Sequence, residues 1–240
     1  MKITSCVLTG LTIAALSAAA LAGAAAYQVA WKGALRDTHA GNTQANVRLA
    51  DLPRSAGLYA VGPVAGLAGE ITIVGGKLLV AEVEHGAIRT SSDFSKGAAF
   101  LVWASVPQWR DASAVGASIG SQAQLEAFVE AKAREAGLNV EQPFPFLLNG
   151  TFDSVKYHVV RPPQGGAAHG SAASPADSAL NAEATGKSAT VVGFFSRNHE
   201  GVFTHSGIRA HLHVVLENGD SGHVDELRAG PDVQLALPRT

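Results

Sequence analysis

Cysteine is all but missing. Cys6 is the only one in the chain, and it lies in a segment expected to be removed. The mature protein can therefore form no disulfide and must be stabilised by packing and by any metal its side chains can hold. An excess of one charge is missing as well. Lys and Arg number 18 against 20 Asp and Glu, a net charge of −2, which leaves no basic footprint for nucleic acid. Low charge here does not mean disorder: charged residues make up 16% and hydrophobic residues 47% of the chain, the balance of a globular protein. Long apolar runs occur only at the start. Val7 to Leu21, behind Lys2 and ahead of Ala24-Ala25-Ala26, reads as a signal peptide over 1–26 with cleavage before Tyr27. The expectation is a periplasmic or secreted protein with no membrane span after cleavage. No internal repeat is visible.

Histidine, by contrast, is concentrated. Of nine, four fall within Thr204 to Leu227. Ile208, Ala210, Leu212 and Val214 alternate with Arg209, His211, His213 and Val215, the period of a half-buried strand. His211 and His213 then share a face, roughly 6–7 Å apart, and can converge on one ion. Glu217-Asn218-Gly219-Asp220 supplies a turn, and Gly222-His223-Val224 opens a returning strand. A two-residue Asn218-Gly219 loop would put His223 on the wrong face. A three-residue loop over 218–220 pairs it with Val215, diagonal to His213, and a bulge at Ser221-Gly222 would serve equally. Three neutral imidazoles leave a fourth position free, the catalytic form of a zinc site.

Elsewhere the chain reads as β-rich. Glu70 to Val74 and Lys77 to Val83 flank Gly75-Gly76 as a hairpin, with Glu70 and Thr72 on the face opposite Ile71 and Ile73. Further strands are expected over 98–106, at 144–148 and 152–160 around Asn149-Gly150, over 190–195 and over 233–237. Asp37 to Gln44 looks like loop. Ser121 to Ala136 is the clear helix: Ser121 and Gln124 form a capping box, Leu125, Phe128, Val129, Ala133 and Ala136 form the apolar stripe, and Gly137 ends it. The fold class is α+β with two β-rich subdomains of mainly antiparallel sheet. The subdomains are placed at 27–162 and 189–240, joined by a flexible Ala/Gly/Ser-rich linker over 163–188. Of the other histidines, His85 is read as a turn residue and His39 and His169 as loop residues. His158 is read as able to face the site without ligating, and His205 as a support to a ligand. Asp225 is read as a solvated charge.

Three stretches together resemble the α-acetolactate decarboxylases. Gly69-Glu70 with the Gly75-Gly76 hairpin is similar to the family's G-E segment. Gly150-Thr151-Phe152-x-x-Val155-Lys156 resembles its G-T-F-x-x-V-K. Val191-Val192-Gly193-Phe194-Phe195, with His211-Leu212-His213 and Gly222-His223-Val224, is similar to its V-G-F … H-L-H … G-H-V block, and Leu235-Ala236-Leu237-Pro238 to its late L-x-L-P. The resemblance runs from about Leu58 to Pro238. It implies a zinc-dependent carboxy-lyase that converts 2-acetolactate to acetoin and CO2, usually as a dimer. His211, His213 and His223 would be the Zn2+ ligands and Glu70 the active-site carboxylate. His205, Arg209, Lys156 and Thr151 complete the candidate set as supporting or substrate-contacting residues. Three positions depart from the family pattern. Leu147 stands where the family has an arginine for the substrate carboxylate and Pro63 where it has a threonine, and no glutamate follows the L-x-L-P. Unless Arg209 or Lys156 substitutes, acetolactate turnover is expected to be slow. The alternatives are a metalloenzyme on the same scaffold for another hydroxy-keto acid or carbonyl compound, and a non-catalytic periplasmic metal-binding protein.

Overall fold

The computed structural model describes residues 27–162 and 178–240. The expected signal peptide, His169 and most of the expected linker lie outside the described residues. The first half runs β1 (Gln28–Lys32), α1 (Leu35–His39), β2 (Val47–Arg48), β3 (Leu58–Pro63), β4 (Glu70–Val74), β5 (Lys77–Glu84), β6 (Ala87–Ser91), β7 (Gly97–Ala98) and β8 (Leu101–Ser105). Six of these strands form one antiparallel sheet in the order β1-β8-β3-β4-β5-β6, while β2 and β7 pair as a separate ribbon. The second half runs β9 (Ser113–Ala114), α2 (Gln122–Glu135), β10 (Phe144–Val160), β11 (Ala179–Phe195), β12 (Ala210–Leu216), β13 (Ser221–Ala229) and β14 (Gln234–Ala236). Its sheet has the order β11-β12-β13-β10-β14-β9, and β10 also pairs with β11, so four strands close on themselves. This is the β-rich α+β class expected, with two α-helices among the described residues. Neither is long and apolar enough to cross a membrane.

The strand period decides what lies between the sheets. Along β3, Tyr59 and Val61 face the second sheet, while Leu58 and Ala60 join a cluster with Ile71, Ile73 and Leu101 on the outer side. Phe100 and Val102 meet Leu147, Val192, Phe194 and Phe203 in the interlayer. A third cluster packs Leu125, Val129 and Ala133 of α2 on the far face of the second sheet, where Leu212 and Val214 of β12 also lie. Six phenylalanines are fully buried; at about 1.5–3 kcal/mol for each large apolar side chain, such burial is the main source of stability in a chain without disulfides.

Two local signals fold as expected. Gly75 and Gly76, at φ 57° and 79°, turn β4 into β5, and a side chain at Gly76 would lie 2.3 Å from the Ser55 carbonyl, so only glycine fits. Ser121 caps α2 through the Gln124 amide, although the Gln124 side chain accepts from Gly120 N–H rather than from Ser121. His85 is indeed a turn residue, at φ 51° before Gly86.

Other expectations need correction. Asn149-Gly150 does not interrupt a strand. β10 runs unbroken for 17 residues because β11 pairs with it along its length. Gly150 instead admits the close approach of Val233, whose Cα would lie 3.2 Å from a side chain there. Ala179 to Ser188, placed in the linker, are the first part of β11. The boundary at residue 162 does not divide the sheets either, since β10 pairs with strands from beyond it. Residues 35–39, partly read as loop, form α1, which is tied down where Leu35 and Arg36 donate their N–H groups to Val202 and Gly201.

Candidate metal centre

β12 carries the site. Ala210, Leu212 and Val214 face α2, which sends His211 and His213 toward the first sheet, both buried. Its partner strand returns in a register different from either expected. The loop is odd but covers Glu217-Asn218-Gly219, with Leu216 and Asp220 hydrogen-bonded and Gly219 at φ 90°, a type I turn closed by a left-handed residue. His223 therefore sits directly opposite His213, not diagonal to it. The face is the same, so the three imidazoles still meet. On the opposing sheet, β4 points Glu70 and Thr72 into the interlayer, as its alternation required.

The nitrogens are arranged for a cation. One ligand atom from each of His211, His213 and His223 lies within 4.8 Å of the others, and His211 Nε2 is 3.1 Å from His223 Nδ1. Ligands at 2.0–2.1 Å from a tetrahedral zinc ion stand about 3.3 Å apart. His213 Nδ1 is 2.9 Å from Thr72 Oγ1, which also accepts from Ser221 Oγ at 2.8 Å. That leaves His213 Nε2 buried without a hydrogen-bond partner, like His211 Nδ1, and Glu70 Oε2 stands 3.6 Å from it. A buried polar nitrogen without a partner costs about 1–3 kcal/mol, which a bound ion would relieve. Burial above all, with neighbouring histidines, pushes His211 down to about 3 and His213 and His223 well below the usual imidazole value. The rings are neutral, the form that binds metal. The residues fit a zinc ion.

Beside the trio lies a cavity of about 210 Å³, lined by His211, His223, Glu70, His158, His205 and the apolar wall of Leu35 and Phe100 among others. It is small against the ~300–1,000 Å³ of pockets for drug-sized ligands, and so suits a molecule of few atoms. Burial pushes the Glu70 carboxyl up to about 7, with His158 and the Val160 backbone working against that rise. Burial also opposes the charge of His158, but its hydrogen bond to Asp225 and the nearby Glu70 outweigh it and raise its pKa. His205 is lowered, by burial first and His39 next.

The structure gathers His205 with the trio and Glu70 but leaves three candidates outside. Thr151 is exposed and meets Ser188. Lys156 is exposed and paired with Glu226 at 2.9 Å. Arg209 faces α2, held by Glu130 and Glu126. Leu147 is buried between the sheets with Tyr59, Val102, Val192 and Phe194, while Pro63 lines the cavity. Leu147→Arg should therefore cost about 3–5 kcal/mol, as an uncompensated charge in a core does. Thermal melting should show a fall of roughly 10 °C, with Leu147→Met as the volume-matched control. An unchanged melting point would mean that the guanidinium finds a partner.

Two further histidines line the cavity. His158, expected to face the site without ligating, lies directly opposite His223 on β10. His39, read as a loop residue, ends α1 at the cavity wall, its ring 6.2 Å from that of His205. For His158 the sequence held one signal, its position in the strand phase of β10.

The chain matches the family model described as "Alpha-acetolactate decarboxylase" over residues 26–239. No curated protein matches it significantly. Among solved structures it is similar to alpha-acetolactate decarboxylase from Bacillus subtilis strain 168, at 14% identity over 89% of this chain and 86% of that one, with a TM-score of 0.67. Acetolactate decarboxylase from Bacillus subtilis subspecies spizizenii gives 14% identity, the same coverages and a TM-score of 0.70. A Staphylococcus aureus protein of unknown function, described as similar to alpha-acetolactate decarboxylase, gives 16%, 87%, 84% and 0.65. At these identities the structural likeness shows the fold.

Proposed function

This chain belongs to the alpha-acetolactate decarboxylase family, and from that premise we propose a zinc-dependent decarboxylase that releases CO2 from 2-acetolactate and leaves acetoin. Family membership supports decarboxylase activity in general. The observation that carries the finer reading is the histidine trio, two of its rings buried and His223 partly so, with Glu70 beside it at the wall of a small cavity.

His211, His213 and His223 would hold the ion. A bound zinc ion supplies Lewis acidity toward the substrate's hydroxyl and ketone oxygens. The rest falls to the chain's own groups. Loss of CO2 leaves an electron pair at the carbon that bore the carboxylate, and that carbon must gain a proton. Glu70, buried and pushed up to about 7, keeps a proton available near neutral pH and stands at the trio. Leu35, Leu67, Phe100 and Val160 line the cavity and limit the water that would compete as proton source.

Zinc-loaded protein should form acetoin from 2-acetolactate, lose the activity on treatment with a chelator and regain it with zinc. No acetoin at high enzyme concentration would remove this reading. The second reading, a metalloenzyme for a different hydroxy-keto acid, would then take its place; it is favoured by the absence of arginine and lysine among the described residues that line the cavity. We also propose export through residues 1–26, with the mature chain starting at Tyr27. N-terminal sequencing of the protein recovered from the periplasm or medium checks this, and an intact Met1 would refute it.

A further inference from the structure

We propose that His158, braced by Asp225, is the residue that receives the substrate's carboxylate. The proposal rests on the decarboxylase reading and adds to it the group that recognises the acid. Among the described residues that line the cavity, none is arginine or lysine. Lys156 and Arg209 are committed to glutamates on other faces, and Leu147 is packed into the interlayer. A small acid still needs a directional donor, because charge-assisted hydrogen bonds are the strong ones.

His158 is placed to be that donor. It pairs across the ladder with His223, which pairs with His213, so three imidazoles stand in one row over β10, β13 and β12. Its ring centroid is 5.0 Å from that of His223, and it lines the same cavity as Glu70 and His205. The brace comes from a bulge. Lys156 pairs with Glu226 and Tyr157 with Val224, which leaves Asp225 as the extra residue of β13. Both carboxylate oxygens of Asp225 reach His158 Nδ1, at 2.8 and 3.0 Å. An ionised carboxylate only accepts, so Nδ1 donates to it and Nε2 is the nitrogen left for a ligand. Asp225 is the more exposed partner, at 42% against 21% for His158. The ring thus stands between its brace and the interior.

The test is calorimetric titration of the zinc-loaded full chain with two probes. One is 2-hydroxy-2-methylpropanoate, which has the hydroxyl and the carboxylate; the other is acetoin, which is neutral. His158→Gln should weaken the acid roughly tenfold or more, the scale of one hydrogen bond to a charged group. Acetoin affinity and zinc stoichiometry should stay unchanged. Asp225→Asn should weaken the acid severalfold with the same selectivity, and it decides the matter if His158→Gln does not fold. Equal acid affinity in wild type and variant, equal loss of both probes, or a wild type that does not bind the acid overturns the proposal. A wild type that binds the acid through His158 and yet makes no acetoin leaves this proposal standing and removes the decarboxylase reading.

Discussion

Replacing His213 with alanine should strip the chain of its metal and of acetoin formation together. His213 is the most enclosed of the trio, fully buried, with Nδ1 held at Thr72 and Nε2 left for a ligand. Four-ligand zinc sites bind with about 10–16 kcal/mol at neutral pH, so one imidazole is worth ~3 kcal/mol, or on the order of 100-fold in affinity. Two histidines and a carboxylate would remain, too few to hold zinc against a competing chelator. Stability gives a readout independent of activity. A ligand at 1,000 times its dissociation constant stabilises the native state by about 4 kcal/mol, which for a chain of this size raises the melting point by roughly 10 °C. Wild type should show that rise on adding zinc, and the variant should not. Metal analysis after dialysis is the direct check. An equal rise in both proteins would place the ion elsewhere.

The parts of this site that were legible in the sequence are those set by local chemistry. The H-x-H spacing puts His211 and His213 on one face whatever the rest of the chain does. Gly75-Gly76 admits only a tight left-handed turn, and that turn commits Glu70 and Thr72 to a shared face. The register of the β12–β13 hairpin was not legible. The loop expected over 218–220 takes Gly219 or Asp220 as its left-handed residue and the loop found over 217–219 takes Gly219, so the turn residues alone do not choose. Contacts from outside the hairpin distinguish the two: from the other sheet, Thr72 meets the Ser221 hydroxyl and His213, and from the neighbouring strand β10 the His158 carbonyl lies 2.5 Å from where a side chain at Gly222 would stand.

His158 illustrates the same limit from the other side. Its place beside the trio depends on β10 pairing with β13 across 65 positions of sequence, and on a bulge that turns Asp225 toward it. Neither leaves a local trace. Asp225 in isolation reads as a surface charge, and His158 as one residue of a long strand. Arg209 failed as a candidate for a related reason. Its strand phase matches His211 and His213, but it stands just before the described start of β12, where Glu126 accepts from the Arg209 and Ala210 amides and the guanidinium follows to Glu130. Alternation could not show that the strand ended before it.

Replacing Glu70 with glutamine should lower kcat for acetoin formation by about 10²–10⁴-fold, the range for a positioned acid or base, while making the zinc-free protein more stable above neutral pH. The two effects have one origin. The carboxyl is pushed up to about 7 by burial, whereas in the unfolded chain it ionises near the ordinary glutamate value of 4.5. Between those values the native state keeps a proton that the unfolded state has lost, so stability falls as pH rises across that window. The loss amounts to about 3 kcal/mol at its full extent. Glutamine keeps the shape and cannot ionise, so it avoids the loss. Melting of the zinc-free proteins should therefore coincide near pH 4 and diverge by roughly 6–12 °C in favour of the variant at pH 8. The zinc content of the variant should match that of wild type, since Glu70 stands 3.6 Å from His213 Nε2 and is not one of the three imidazole ligands. A variant that keeps wild-type kcat would end the proton-donor role. A variant less stable than wild type at pH 8 would show that the ionised carboxylate is held by a partner rather than stranded by burial.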